Sequence, residues 1–151
     1  MWSNSIFPCA TTTSTRSRRT AIKTESGLQR PINVIVAEDN DDLRAVMPPL
    51  IDDHPDLHCV AVTAYIDEVA PLIEQHQAHV AVLDLELRGG SAFKRLPDLC
   101  RQFPDTRFII HSGHANPELM RQAREAGAGA YVRKSGDIDE LIDAIRGLMR
   151  E

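Results

Sequence analysis

The chain has 151 residues, room for one domain with a sizeable core and too little for two. Its hydrophobic content of 42% is ordinary for a globular protein, and no apolar run approaches the roughly 20 residues of a membrane span. The net charge of −5 conceals +4 over residues 1–30 and −9 over the remainder; the acidic body argues against direct nucleic-acid contact by the folded part, since phosphate backbones need a basic surface.

Residues 1–30 are rich in Ser, Thr and Arg around Thr11-Thr12-Thr13-Ser14-Thr15 and have no hydrophobic period, so they read as a disordered basic tail. The start lacks the charged n-region and long apolar core of a secretory signal. The periodic part begins at Pro31. Ile32-Asn33-Val34-Ile35-Val36-Ala37 reads as a buried strand, followed directly by Glu38-Asp39-Asn40-Asp41-Asp42. Asn40 suits the N-cap of a helix whose first turn holds Asp41 and Asp42, where carboxylates complement the dipole. That helix is expected to turn Leu43, Val46, Met47, Leu50 and Ile51 inward, with Pro48 and Pro49 kinking or splitting it.

Residues 58–62 make a second strand, and 67–77 a second helix with Val69, Leu72 and Ile73 on its apolar side. A third strand over 79–84 ends at Asp84, where the hydrophobic run gives way to a loop carrying Gly89 and Gly90. A third helix follows over 91–102. The fourth strand, 107–111, ends at Ser112-Gly113-His114-Ala115. Asn116-Pro117-Glu118 opens the fourth helix with a cap and a proline at the first helical position, and Gly127 closes it in a left-handed cap. Residues 130–132 make the fifth strand and 138–149 the fifth helix.

Five strand–helix alternations with short connections call for an α/β fold: a parallel sheet, helices on both faces, right-handed crossovers. Ligands collect beyond the carboxyl ends of such strands. Those ends offer Glu38 and Asp39, then Asp84, then Ser112, then Lys134. Carboxylates drawn together repel, and oxygen ligands of this kind suit Mg2+. A lysine and a hydroxyl on the same rim suit two oxygens of a phosphoryl group, leaving the third for the metal. An aspartate so placed can act as nucleophile in phosphoryl transfer. Cys9, Cys59 and Cys100 are odd in number and widely spaced, which indicates neither a zinc site nor a disulfide framework and suits a reducing cytoplasm. His76 with His79, and His111 with His114, read as surface or packing residues rather than metal pairs.

Four stretches, Val34-Ile35-Val36-Ala37-Glu38-Asp39-Asn40, Val82-Leu83-Asp84-Leu85, Ile110-His111-Ser112-Gly113 and Gly127-Ala128-Gly129-Ala130-Tyr131-Val132-Arg133-Lys134, occur in an order and spacing that resembles the receiver domain of bacterial two-component response regulators. The resemblance covers the chain from about residue 32 to 149, leaving the domain at 31–151. It implies a flavodoxin-like, doubly wound, five-stranded parallel sheet of order 2-1-3-4-5. It implies that Asp84 accepts a phosphoryl group from a sensor histidine kinase or histidine phosphotransfer protein. Glu38, Asp39, Asp84 and the backbone carbonyl of Glu86 would hold Mg2+, and Lys134 would pair with Asp84 and the phosphoryl oxygens. The Ser112 hydroxyl would move onto the phosphoryl group, and Tyr131, the switch aromatic, would turn inward with it.

The surface so switched would be the fourth helix, fifth strand and fifth helix, meeting a downstream protein effector or a second copy. The resemblance thus implies a phosphoacceptor switch rather than an enzyme. With the sequence ending soon after the fifth helix, a stand-alone switch with no direct nucleic-acid partner is expected. Four positions depart from the family pattern: Pro48 and Pro49 in the first helix, Arg88 where a proline is often found, and Ala92 where a glycine is usual, and the last two leave the path of the loop after Asp84 open. Glu86 and His114 occupy positions resembling those that tune dephosphorylation. Two other readings compete. Asp84-Leu85-Glu86 loosely mimics the acid–x–acid start of haloacid dehalogenase-type phosphatases, and a pseudo-receiver would keep the fold as a docking module without the chemistry.

Overall fold

The computed structural model describes residues 30–135 and 137–150, together with the backbone of Asn4–Ile6. The elements in chain order are β1 (Asn4–Ile6), β2 (Ile32–Ala37), α1 (Asp41–Asp52), β3 (Leu57–Thr63), a 3-10 turn (Ile66–Glu68), α2 (Val69–His76) and β4 (Val80–Leu83). There follow β5 (Glu86–Leu87), β6 (Gly90–Ser91), α3 (Ala92–Gln102), β7 (Arg107–Ser112), α4 (Pro117–Ala126), β8 (Ala130–Arg133) and α5 (Ile138–Met149). The main sheet runs β1-β8-β7-β4-β2-β3. All pairings from β3 to β8 are parallel, so those strands stand in the expected order 2-1-3-4-5.

The strands are apolar on both sides because helices cover both sides. Side chains alternate: Val34 and Val36 join α1 and α5 in one core, while Ile35 and Ala37 join α2, α3 and α4 in the other. β4 is buried along its whole length, which is why Val80–Leu83 reads as an unbroken hydrophobic run. The cap residues act as their types dictate. The Asn40 side chain accepts from the Leu43 N–H at 2.8 Å, and the Asn116 side chain from the Leu119 N–H at 2.8 Å. Gly127 adopts φ +114°, and a Cβ there would lie 2.6 Å from the Cys100 Sγ.

Three expectations are corrected, and one point left open is filled in. Pro48 and Pro49 do not split α1, which runs as one helix with both inside it. Their missing N–H groups free the carbonyls of Arg44 and Ala45 on the partly solvated side of the helix, where water can replace the lost bonds. Val46 and Leu50 do not turn inward but stay 46% and 42% exposed. The i, i+4 stripe of Leu43, Met47 and Ile51 packs on the core, which leaves Val46 and Leu50, one position before Met47 and Ile51, on the solvent-facing flank of the same apolar face. The path of the loop after Asp84, left open by the sequence, is a hairpin of β5 and β6 with Glu86 opposite Ser91 and Leu87 opposite Gly90. Finally, the reading of residues 1–30 as unstructured omitted Asn4–Ile6, which pairs antiparallel with β8 and places Ser5 opposite Tyr131. Three residues are too few to show a period; only the partner strand reveals them. The rest of that segment up to residue 29, Cys9 included, lies outside the described residues.

Candidate functional site

The parallel register brings the carboxyl ends of β2, β4, β7 and β8 side by side. The backbone fixes the first residue past each end: Glu38 N–H donates to the Thr63 carbonyl at 2.9 Å, Asp84 N–H to Ala37 at 3.0 Å, and Lys134 N–H to Ser112 at 2.7 Å. One carboxylate oxygen from each of Glu38, Asp39 and Asp84 lies within 4.8 Å of the others. The Lys134 ammonium enters the same space, 2.9 Å from Glu38 Oε1 and 3.3 Å from Asp84 Oδ2.

Glu38 is 2% exposed, and burying a charge is costly unless it is paired. Besides Lys134, its Oε2 accepts from the Asn40 N–H at 3.1 Å. Asp84 Oδ1 accepts from the Leu85 N–H at 2.8 Å. Burial, then the Glu38 charge beside it, pushes the Asp84 carboxyl up to about 6, against a lowering by Lys134. Three carboxylates thus face one ammonium, an excess of negative charge that a divalent cation would relieve. The donor set is all oxygen with only a few protein ligands, which fits Mg2+ and its retained waters.

Ser112, 2% exposed, ends β7, the strand between β4 and β8, and its Oγ accepts from the His114 N–H at 3.0 Å. The Tyr131 ring is fully buried and already turned inward; its hydroxyl donates to the His114 carbonyl. One peptide segment at His114 therefore engages both expected switch residues. Glu86 heads the β5 strand with its side chain exposed and stands outside the acidic trio. A haloacid dehalogenase-type site needs that second acid beside the nucleophile.

The histidine pairs do not converge on a metal. His79 Nδ1 accepts from the Asn33 N–H at 2.9 Å and braces β2, while His111 is buried and His114 exposed. Sequence reasoning missed two neighbours of the site. His111, one residue before Ser112 and so on the opposite face of β7, lies close enough to Lys134 and Glu38 to feel both charges; burial foremost, then Lys134, pulls its imidazole down to about 4. Arg88, noticed only as a departure, reaches the loop that carries Asp39. A polar residue in a strand read as buried on both faces was the available signal for His111; for Arg88 no local signal exists, because its partners are about 48 residues away.

Residues 34–146 match the response regulator receiver domain family. Among relatives, the DNA-binding transcriptional activator DevR/DosR of Mycobacterium tuberculosis is 29% identical over 115 residues, covering 76% of this chain and 53% of its own length. An uncharacterized transcriptional regulatory protein, YvfU of Bacillus subtilis, is also 29% identical, over 76% of this chain and 58% of its own. Among solved structures, a LuxR-family DNA-binding response regulator from Staphylococcus aureus aligns with TM-score 0.72 and 29% identity, over 78% of this chain and 98% of that one. The response regulator domain of Thermotoga maritima CheB, at 23% identity and TM-score 0.72, shares the fold.

The relatives named as DNA-binding or transcriptional regulators overturn the expectation of no direct nucleic-acid partner. Net charge speaks only for the residues counted, and this chain spans little more than half the length of the DNA-binding activator it resembles. The fold, the register of the strand ends and the match over residues 34–146 lead to one assignment: the chain belongs to the response regulator receiver domain family.

Proposed function

We propose that this chain is a phosphoacceptor switch in a phosphorelay, with Asp84 taking a phosphoryl group from the histidine of a kinase or phosphotransfer protein. The observation that carries the reading is the convergence of Glu38, Asp39, Asp84 and Lys134 at adjoining strand ends. Glu38, Asp39, Asp84 and the Glu86 carbonyl are assigned to Mg2+. When bound, that ion supplies charge neutralisation for the acids and for the incoming phosphoryl oxygens.

A carboxylate oxygen of Asp84 attacks phosphorus as the phosphorus–nitrogen bond to the donor imidazole breaks, and the leaving imidazole keeps the electron pair. With its carboxyl at about 6, Asp84 is mostly ionised and nucleophilic at neutral pH. Lys134, held by the buried Glu38, pairs with a phosphoryl oxygen. Ser112 gives up the His114 N–H to donate to another, and the peptide that also binds Tyr131 moves with it. The change reaches the α4–β8–α5 surface as a two-state shift. Following the relatives named as transcriptional regulators, the output is the control of a DNA-binding effector, borne on the same chain or on a partner.

Mass spectrometry after incubation with Mg2+ and a small acyl phosphate tests this. Wild type gains one phosphoryl group and Asp84→Asn none. Donor consumed many-fold without phosphoprotein indicates a phosphatase, and no gain in wild type leaves a docking module.

A further inference from the structure

Asp39 differs from its two acidic neighbours. Glu38 is fixed by Lys134 and the Asn40 N–H, and Asp84 by Lys134 and the Leu85 N–H. Among the described residues the Asp39 carboxylate has no hydrogen bond or ion pair, so its aim depends on the backbone that carries it.

That backbone is held from across the pocket by Arg88. The residue sits at the tip of the β5–β6 hairpin, four positions beyond Asp84. Its own N–H donates to the Ala64 carbonyl at 2.9 Å and its carbonyl accepts from the Ile66 N–H at 3.0 Å, which ties the hairpin to the loop after β3. Its Nη2 donates to the Asp39 carbonyl at 3.3 Å and to Asp41 Oδ1 at 3.2 Å. The guanidinium carbon lies 5.7 Å from the centre of the Tyr65 ring, within cation–π range. One side chain thereby joins the loops leaving β2, β3 and β4. A planar fork with several donors can do this; a proline, lacking both donor and reach, cannot.

We infer that Arg88 is a positioning residue for the metal site, clasping the Asp39 loop to the phosphoacceptor loop so that Asp39 is aimed at the cation beside Asp84. The inference rests on the reading of Glu38, Asp39 and Asp84 as Mg2+ ligands. Two effects of the side chain oppose each other. A cation near the site repels Mg2+, but Asp41, shared with Arg44 at 2.6 Å, offsets part of the Arg88 charge, and Arg88 and Asp41 stand in solvent where a Coulomb effect is screened. The geometric effect is unscreened. Residues that orient a metal ligand typically change affinity 10–100-fold, and a single contact to a carbonyl belongs at the low end, about tenfold.

The test is a Mg2+ titration of the full chain followed by backbone amide NMR shifts, with phosphorylation by a small acyl phosphate measured against Mg2+ concentration. Arg88→Ala is expected to weaken Mg2+ about tenfold and raise the half-saturating Mg2+ for phosphorylation by the same factor, with the rate at saturating Mg2+ unchanged. Arg88→Lys keeps the charge and an ammonium donor but loses the planar fork, and is expected to recover part of the affinity. The weakening is expected to persist in high salt, where a charge effect would fade.

Unchanged or tighter binding in Arg88→Ala overturns the clasp; tightening that disappears with salt would show a repelling charge alone. Should Arg88→Ala lose its dispersed amide spectrum, Arg88→Lys decides by the same titration, and wild-type affinity there overturns the fork as the cause. If wild type itself neither binds Mg2+ nor is phosphorylated, the reading of the acidic trio fails instead, which separates the two outcomes.

Discussion

Asp84 and His111 are two ionisable groups near one pocket that respond to pH with opposite sign. Asp84 holds its proton more tightly in the folded protein, its carboxyl rising from 3.8 to about 6. Between those values the folded state binds more protons than the unfolded one, so this group's contribution to stability falls as pH rises. His111 is the reverse: lowered from 6.5 to about 4, it stays neutral when folded, and its contribution is lost as pH falls through that range. The two largely cancel in wild type. Asp84→Asn removes one of them, so in Mg2+-free buffer the variant is expected to be more stable than wild type above pH 6 by ~1–2 kcal/mol. The gap should close towards pH 4, where the uncancelled His111 contribution makes the variant's stability fall with acid. Urea denaturation across that pH range measures both. A variant no more stable than wild type at neutral pH would contradict the account of Asp84 as a crowded, desolvated carboxylate.

At the scale of elements, α1 and the α4–β8 turn show where local chemistry and packing disagree or agree. The prolines of α1 are tolerated because Met47 and Ile51 anchor the helix while the freed carbonyls lie on its solvated side. Pro49 is exposed, so Pro49→Ala restores an N–H without disturbing the core. It is expected to stabilise by about 1–2 kcal/mol, below the full helix-interior penalty because a freer unfolded chain offsets part of the gain. Thermal unfolding reads the shift. Gly127 is the opposite case, where turn chemistry and packing reinforce each other: a positive φ and a Cβ that would meet the Cys100 Sγ. Gly127→Ala is expected to lose about 2 kcal/mol or more, and adding Cys100→Ala should return only the steric part, leaving the backbone strain. Full recovery in the double variant would show that φ carries no cost there. The ion pairs of Arg121 with Glu118 and Glu125 on α4 are exposed, and their charge reversal is a poor probe of stability.

For the whole molecule, the carboxyl ends of a buried sheet concentrate three acids where the fold cannot neutralise them with its own groups. Mg2+ bound to the folded state alone stabilises by mass action, about 2.7 kcal/mol at a hundredfold excess over Kd. Asp39→Asn removes a ligand without removing a partner of Lys134, so it should abolish most of the Mg2+-induced rise in unfolding temperature and leave the Mg2+-free value almost unchanged. Differential scanning calorimetry with and without Mg2+ checks this, and an equal rise in both proteins would exclude Asp39 as a ligand.

How much of this could be read before folding follows the range of the interactions. Strand and helix order, the Asn40 and Asn116 caps, the Gly127 terminus and the placing of Glu38, Asp39, Asp84, Ser112 and Lys134 at strand ends are written in neighbours a few residues apart, because capping, φ preference and side-chain alternation act at that distance. The phase of α1, the β5–β6 hairpin, the β1 pairing, the inward Tyr131, the buried His111 and the reach of Arg88 depend on segments brought together by folding. Which of two apolar stripes is buried, and which carbonyl a guanidinium meets, is settled by packing against distant chain, and no local pattern encodes it.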